Sequence, residues 1–235
     1  MQRIILCVLM VMELLSIGCL SSGQQVTRGL NMQNPDQARA SEMVVIKIID
    51  DAGESLSGVR IYSPQYLGDT DEDGRLVTFF KEPGDYELCA RKGKTGEPGL
   101  AEAKGVISII PSPIEFQAFE GIPPLLPPSY TYTGEQHYKP GTTVRFSFKN
   151  TSDTEIILDN SAPWKIQSRE GEIVFESIAL QTIVQLAPGE DKEWTWNQKD
   201  KNDRQISEGG YMVVLKCSEG EYGLRFWIMP EGMTP

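Results

Sequence analysis

From Met43 onward, apolar and polar residues alternate with a period of two over short stretches, and turn residues interrupt them at short intervals. "MVVIKIIDDAG" (43–53) is a β-branched run closed by two aspartates and a glycine, the layout of a strand and a turn. In "SGVRIYSPQ" (57–65), Val59 and Ile61 share one face, and Arg60 and Tyr62 the other. "RLVTFFKEPGDYELCARKGK" (75–94) predicts two strands around Pro83-Gly84-Asp85, with Tyr86, Leu88 and Ala90 on one face of the second; "AKGVISIIP" (103–111) adds another strand. The later half repeats the pattern. In "TTVRFSFKN" (142–150), Val144, Phe146 and Phe148 point inward, against Arg145, Ser147 and Lys149. Further strands are predicted in "TEIILDN", "WKIQSREGEIVFES", "TIVQLAPGEDKEWTWNQ", "GGYMVVLKC" and "YGLRFWIMP". One segment, "IVFESIALQTIVQL" (173–186), places apolar residues at both helical and strand spacings. Its β-branched content, the nearby glycines and Pro188 favour two strands joined by a short irregular link.

This patterning predicts an all-β chain of two β-sandwich domains. Residues 111–129 hold six of the 15 prolines, and proline neither donates to a ladder nor bends freely. A semi-rigid proline-rich linker is therefore expected over 113–128, between domains at 42–112 and 129–235. Residues 19–41, polar and without periodicity, read as a tether. The first 18 residues have one early basic residue, Arg3, an apolar run from Ile4 to Met12, and small residues at Ser16 and Gly18. That is the layout of a signal peptide, and the apolar run falls short of the about 20 residues of a membrane span. The ending "SIGC" resembles a prokaryotic lipobox, which implies a lipid on Cys19. It departs from that pattern in placing Leu15 one position early and Ser16 where a large aliphatic residue is usual. Ordinary cleavage nearby and an uncleaved anchor are the alternatives. Each reading takes the chain out of the cytoplasm, to the cell envelope and, if lipidated, to the outer face of the membrane.

Composition narrows the partners. The net charge of −11 argues against a nucleic-acid surface, which needs clustered Lys and Arg. Of four cysteines only Cys89 and Cys217 lie in folded regions, too few for a disulfide-stapled scaffold. Cys217 shares a strand face with Tyr211, Val213 and Leu215 and is expected to be a buried thiol; a bridge to Cys89 would have to cross domains.

Candidate chemistry is sparse. "GDTDEDGR" (68–75) sets Asp69, Asp71 and Asp73 at alternate positions before Gly74, matching the first half of a calcium loop. Position 12 of that loop would be Phe80, which cannot bind calcium. A hairpin turn is the competing reading, with a weak calcium site as the sole cofactor candidate. His137 is the only histidine, and no nucleophile motif or zinc-ligand spacing accompanies it. Trp194 and Trp196, two apart in "EWTWN", face the same way and form either core or an exposed aromatic platform for a sugar ring or partner chain. Asn150 opens an Asn-Thr-Ser sequon, a glycan site in a host that glycosylates exported proteins, and also suits a turn.

Two resemblances accompany these motifs. "IIDDAGESLSGVRIY", "GDTDEDGRLVTF" and "GDYELCARKG" resemble the carboxypeptidase-regulatory-like, transthyretin-like sandwich, which implies a structural or binding module. "YKPGTTVRFSFKNTSDTEIIL", "REGEIVFES", "QLAPGEDKEWTWNQKD" and "ISEGGYMVVL" resemble the family typified by an intracellular proteinase inhibitor of Bacillus, which implies an immunoglobulin-like sandwich and, at family level, proteinase inhibition. The expectation is a non-enzymatic, exported binding or scaffold protein. Its partner would be a protein or a cell-surface polysaccharide, and its membrane contact the N-terminal lipid. Proteinase inhibition and carbohydrate binding are the alternatives.

Overall fold

The computed structural model describes residues 29–93, 101–119 and 136–230, all strand, turn or loop with no helix among them. The signal segment, Cys19 and residues 120–128 of the expected linker lie outside the described residues. In chain order the strands are β1 Leu30–Gln33, β2 Gln37–Arg39, β3 Val44–Asp50, β4 Arg60–Ser63, β5 Gln65–Asp69, β6 Arg75–Thr78, β7 Gly84–Lys92, β8 Ala101–Ile110, β9 Ile114–Phe119, β10 Gln136–Tyr138, β11 Val144–Asn150, β12 Ile156–Leu158, β13 Trp164–Ser168, β14 Ile173–Glu176, β15 Val184–Leu186, β16 Asp191–Trp196, β17 Gly209–Cys217 and β18 Gly220–Ile228.

They form two sandwiches with separate cores. In the first, the sheet β1-β3-β6 faces the sheet β2-β8-β7-β4-β5. The alternation read from the sequence sets its interior: Ile46, Ile48, Val59, Ile61, Leu88, Ala90 and Ile107 are buried together. In the second, the sheet β10-β18-β17-β13-β14 lies opposite β16-β11-β9 and the pair β12-β15. Val144, Phe146, Phe148, Ile166, Val213, Leu215 and Phe226 fill it. Each such side chain removed from water contributes about 1.5–3 kcal/mol, so burial on the inner faces dominates the stability of both units. Cys217 is buried as expected, its thiol pushed up to about 11 by desolvation, and both it and Cys89 are free.

The structure moves three expected boundaries. The tether assigned to 19–41 is already sandwich by Leu30: β1 pairs with β3, and β2 runs parallel to β8. The short alternation of Leu30 and Met32 with Asn31 and Gln33 suffices once β3 supplies a ladder. The linker assigned to 113–128 begins as β9, which pairs with β11 over six residues and buries Ile114 and Phe116 in the second core. The connection between sandwiches is therefore only Pro111-Ser112-Pro113, between β8 and β9. The other four prolines of the stretch lie in sequence between β9 and β10, outside the described residues.

The two units are also stitched together. β10 pairs only with residues 226–228 of β18. On the same strand, residues 221–223 are met by the segment that precedes β3: Met43 N donates to Glu221 O at 2.8 Å, Gly223 N donates to Ser41 O at 2.8 Å, and Glu42 opposes Tyr222. Ser41 takes a left-handed conformation (φ 63°), which costs about 1–2 kcal/mol and is held by its own N–H on Phe80 O at 2.7 Å. Side chains extend the seam. The Arg225 guanidinium sits 4.5 Å from the Phe79 ring centroid and donates to Thr78 Oγ1 at 2.7 Å; Arg169 lies over Tyr66. Arg39 pairs with Glu219 at 3.1 Å, a half-exposed contact worth little by itself. Gly223 is required for close approach, because a Cβ there would stand 2.5 Å from Phe79 and 2.7 Å from the Met43 sulfur.

Gly223→Val is expected to part the sandwiches without melting either. Small-angle scattering should show a larger radius of gyration while the far-ultraviolet dichroism stays that of a β protein. An unchanged radius would show that the seam does not hold the units.

Candidate functional site

The aspartates of 68–75 form a turn, and comparison with the rest of the chain shows why. Four five-residue segments share one hydrogen-bond pattern: Asp50–Glu54, Asp71–Arg75, Ser168–Glu172 and Asp200–Arg204. In each, the first residue's N–H donates to the fifth carbonyl and the fourth N–H to the first carbonyl, at 2.8–3.0 Å. The fourth residue has positive φ: Gly53, Gly74, Gly171 and Asp203. This is a type I turn followed by a left-handed residue. The first side chain accepts from the third N–H in every copy, and in the three aspartate copies from the fifth as well, as Asp71 does from Asp73 at 3.0 Å and Arg75 at 2.8 Å. Asp50 and Asp200 do the same work without alternating aspartates. For Asp200, the backbone N–H of Arg204, and then its guanidinium, hold the carboxyl down at about 2. Among the described residues, no three His, Cys, Asp or Glu side chains gather as a metal-holding group. Of the three aspartates, Asp71 serves the backbone and Asp69 ends β5 opposite Arg60, the arrangement of the turn that competed with the calcium reading. The turn is also not a hairpin, since β5 and β6 belong to different sheets.

Asn150 is corrected as well. It is fully buried, and its Nδ2, the atom a glycan would take, donates to Thr154 O at 2.7 Å and Leu186 O at 2.9 Å. Its Oδ1 accepts from Ser152 N and Oγ. The amide is a clasp joining the end of β11 to β15.

Trp194 and Trp196 are not a surface platform. Trp196 is 2% exposed within the second core, its Nε1 donating to Lys199 O. Trp194 is half-buried and stacks on Phe146, with centroids 6.0 Å apart. The same-face reading was right, and the face is the inner one, because β16 pairs with β11 and shares its inward register. Trp194 nevertheless leads to the surface. Its Nε1 donates to Ser161 O at 3.0 Å, and Ser161 holds the loop 177–183: Leu180 N donates to Ser161 Oγ at 3.0 Å, and Ser161 N to Leu180 O at 3.3 Å. At the start of the loop, Ser177 Oγ donates to Ala162 O and to Trp164 O.

This braced loop carries the largest exposed apolar group among the described residues. Ile178 is 101% exposed, Leu180 74% and Ile183 66%, with Ile173 on neighbouring β14 at 52%. Single exposed apolar side chains are ordinary, but four within eleven residues make this segment the candidate interaction surface. The loop falls in the segment 173–186, whose apolar spacing fitted both helix and strand, at the irregular link expected between its two strands. Apolar residues that match no buried face were the available signal.

His137 lies in β10 opposite Trp227, 3% exposed, with Nε2 lacking a partner; burial pushes its pKa below the ordinary 6.5. An imidazole kept neutral this way is a core residue of the sheet. An open cleft of about 720 Å³ is rimmed by Arg169, Glu170, Glu172, Arg204 and Glu208, with Asp200 and Arg204 already paired at 2.7 Å.

No family model matches the chain, and no curated protein matches it. Solved structures share its β architecture loosely. Elastase-activated α2-macroglobulin of Escherichia coli is 11% identical, with 86% of this chain and 22% of that chain covered and a TM-score of 0.31. The fibronectin(III)-like modules of Clostridium thermocellum CbhA are 8% identical, covering 88% and 97%, at 0.29. The Bacteroides ovatus glucan-utilisation protein SGBP-B, solved with a mixed-linkage heptasaccharide, is 16% identical, covering 85% and 43%, at 0.27. The chain thus spans about a fifth of the macroglobulin it matches. Scores this low carry no functional argument, and the all-β class rests on the strands themselves.

Two outcomes follow from the turn and from His137. Asp71→Ala should cost about 0.5–1.5 kcal/mol in chemical denaturation, equally with calcium and with chelator, because it hands two exposed backbone donors to water; a calcium-dependent difference would favour the metal reading. Because the folded imidazole binds its proton less tightly than the unfolded one, the unfolded state takes up more protons as pH falls below 6.5. Its contribution to stability is present above that value and is lost on acidification down to the folded pKa. Thermal melts should therefore drop more between about pH 7 and about pH 5 for the wild type than for His137→Leu.

Proposed function

We propose that the chain is an exported, non-enzymatic binding module of the cell envelope, tethered through Cys19, whose two sandwiches act as one rigid body presenting the 177–183 loop to a partner. The carrying observation is that loop: exposed apolar side chains on a backbone fixed to the sandwich, where a solvent-facing segment would ordinarily be polar. Burying Ile178, Leu180 and Ile183 in a partner would contribute about 1.5–3 kcal/mol each, less the costs of association. A pre-braced loop loses little further entropy on docking. The partner is a protein in this reading, since a sugar would call for exposed aromatic faces and hydrogen-bonding groups that the loop lacks.

A second reading, proteinase inhibition through the C-terminal sandwich, is favoured by the same bracing. An extended, exposed, anchored segment is what a strand-accepting cleft takes up. The motifs resembling a proteinase-inhibitor family surround the loop on both sides in sequence.

Cys19→Ala is expected to shift the expressed chain from the membrane pellet to the soluble exported fraction, read by immunoblot. A chain that stays in the pellet would sink the lipid tether. Hydrolytic turnover by the purified mature chain, abolished by a single substitution, would overturn the non-enzymatic reading.

A further inference from the structure

We propose that the open cleft of the second sandwich binds a neutral oligosaccharide, one sugar ring resting on the Trp227 indole and its hydroxyls donating to carboxylates of the rim. The cleft shares no residue with the 177–183 loop, so this site is additional to the docking surface proposed above. Its volume of about 720 Å³ falls within the range of about 300–1,000 Å³ usual for small-ligand sites. It also adjoins the seam between the two sandwiches, where such sites are common: its lining residue Arg169 lies 5.6 Å from the ring centroid of Tyr66 in the first sandwich.

Trp227 is the element a core does not explain. Phe226 and Ile228 turn into the second core, so Trp227 between them turns to the outer face of the sheet. It stands opposite Gly210 on β17, where a Cβ would come within 2.9 Å of the six-membered ring. The glycine thus lets the indole lie over the strand at the wall of the cleft, and a larger residue would displace it. A half-buried indole beside polar groups offers an apolar ring to the C–H face of a sugar.

The polar lining selects the ligand. Acceptors and donors are mixed: the carboxylates of Glu170, Glu172 and Glu208 stand with the Gln205 amide, the Ser207 hydroxyl and the Arg204 guanidinium. Arg204 is paired with Asp200 at 2.7 Å, whereas among the described residues those three glutamate side chains make no hydrogen bond or ion pair. A sugar hydroxyl both donates and accepts, and two neighbouring hydroxyls can donate to the two oxygens of one carboxylate. A cation could use only the acceptors and would face Arg169 and Arg204; an anion could use only the donors and would face the glutamates. Length follows from Arg169, because Tyr66 beside it is 42% exposed and 5.7 Å from Tyr62. A chain of sugars leaving the cleft past Arg169 would meet these rings, which favours an oligosaccharide over a single sugar.

The test is isothermal titration calorimetry of the full mature chain with cellohexaose, xylohexaose, maltohexaose and mannohexaose, and with hexalysine and oligogalacturonate as charged comparators. At least one neutral hexasaccharide should bind, with an affinity unchanged by added salt, and neither comparator should. Trp227→Ala should weaken that binding at least about 10-fold, and Trp227→Phe should restore most of it. Glu172→Gln should also weaken it while keeping the wild-type melting temperature, since the main chain of Glu172 still closes the Ser168–Glu172 turn. Binding of a charged comparator alone, or of no neutral sugar, would overturn the proposal. A sugar held equally well by Trp227→Ala and by Glu172→Gln would overturn the cleft as its site.

Discussion

Strand β18 is nine residues long, and β10 covers only its last three with an edge partner. Main-chain groups on a sheet edge need partners or water, and an open edge recruits whatever strand is near. Here Ser41–Met43 supplies the partner, through two hydrogen bonds from the other sandwich. Those bonds fix a register, and the register brings Phe79 under Arg225 and Met43 against Gly223. With only three residues in the covalent connection, two of them proline, neither unit can move far from this pairing. The relative placement of the two sandwiches therefore descends from one half-empty edge.

Three of the 33 acidic residues, Asp50, Asp71 and Asp200, have a similarly local role. Each sits at the first position of the repeated turn and accepts from the third and fifth backbone N–H groups. Such a carboxylate resembles a metal ligand in sequence, because calcium loops and turns of this type both place oxygen donors beside a residue of positive φ. What separates them is whether the oxygens converge on a point or bend back to their own main chain, and at Asp71 they bend back.

The loop at 177–183 shows packing and surface acting together. Phe146 and Trp194 stack inside the second sandwich; the Trp194 indole holds Ser161, and Ser161 holds Leu180. An interior aromatic contact thus sets the geometry of an exposed segment. Of the two tryptophans, Trp194 supports the loop from beneath, while Trp196 is buried in the core and bonds to Lys199 O.

The strands, their inward faces and their turns were legible because period-two burial and positive-φ glycines are local properties, written within a few residues of one another. Val59, Ile61, Val144, Phe146 and Phe148 all point where the alternation places them. The sequence by itself therefore determined an all-β chain with two interiors. Only the tertiary structure decided that Leu30–Arg39 and Ile114–Phe119 are strands, that Asn150 is a clasp, and that the apolar residues of 177–183 remain outside. Each of those outcomes depends on a partner far away in the chain: β3 and β8 for the first strands, β11 for β9, Leu186 for Asn150, Ser161 for Leu180. A short segment cannot announce its side of the fold until that distant partner has supplied the other half of the hydrogen bond.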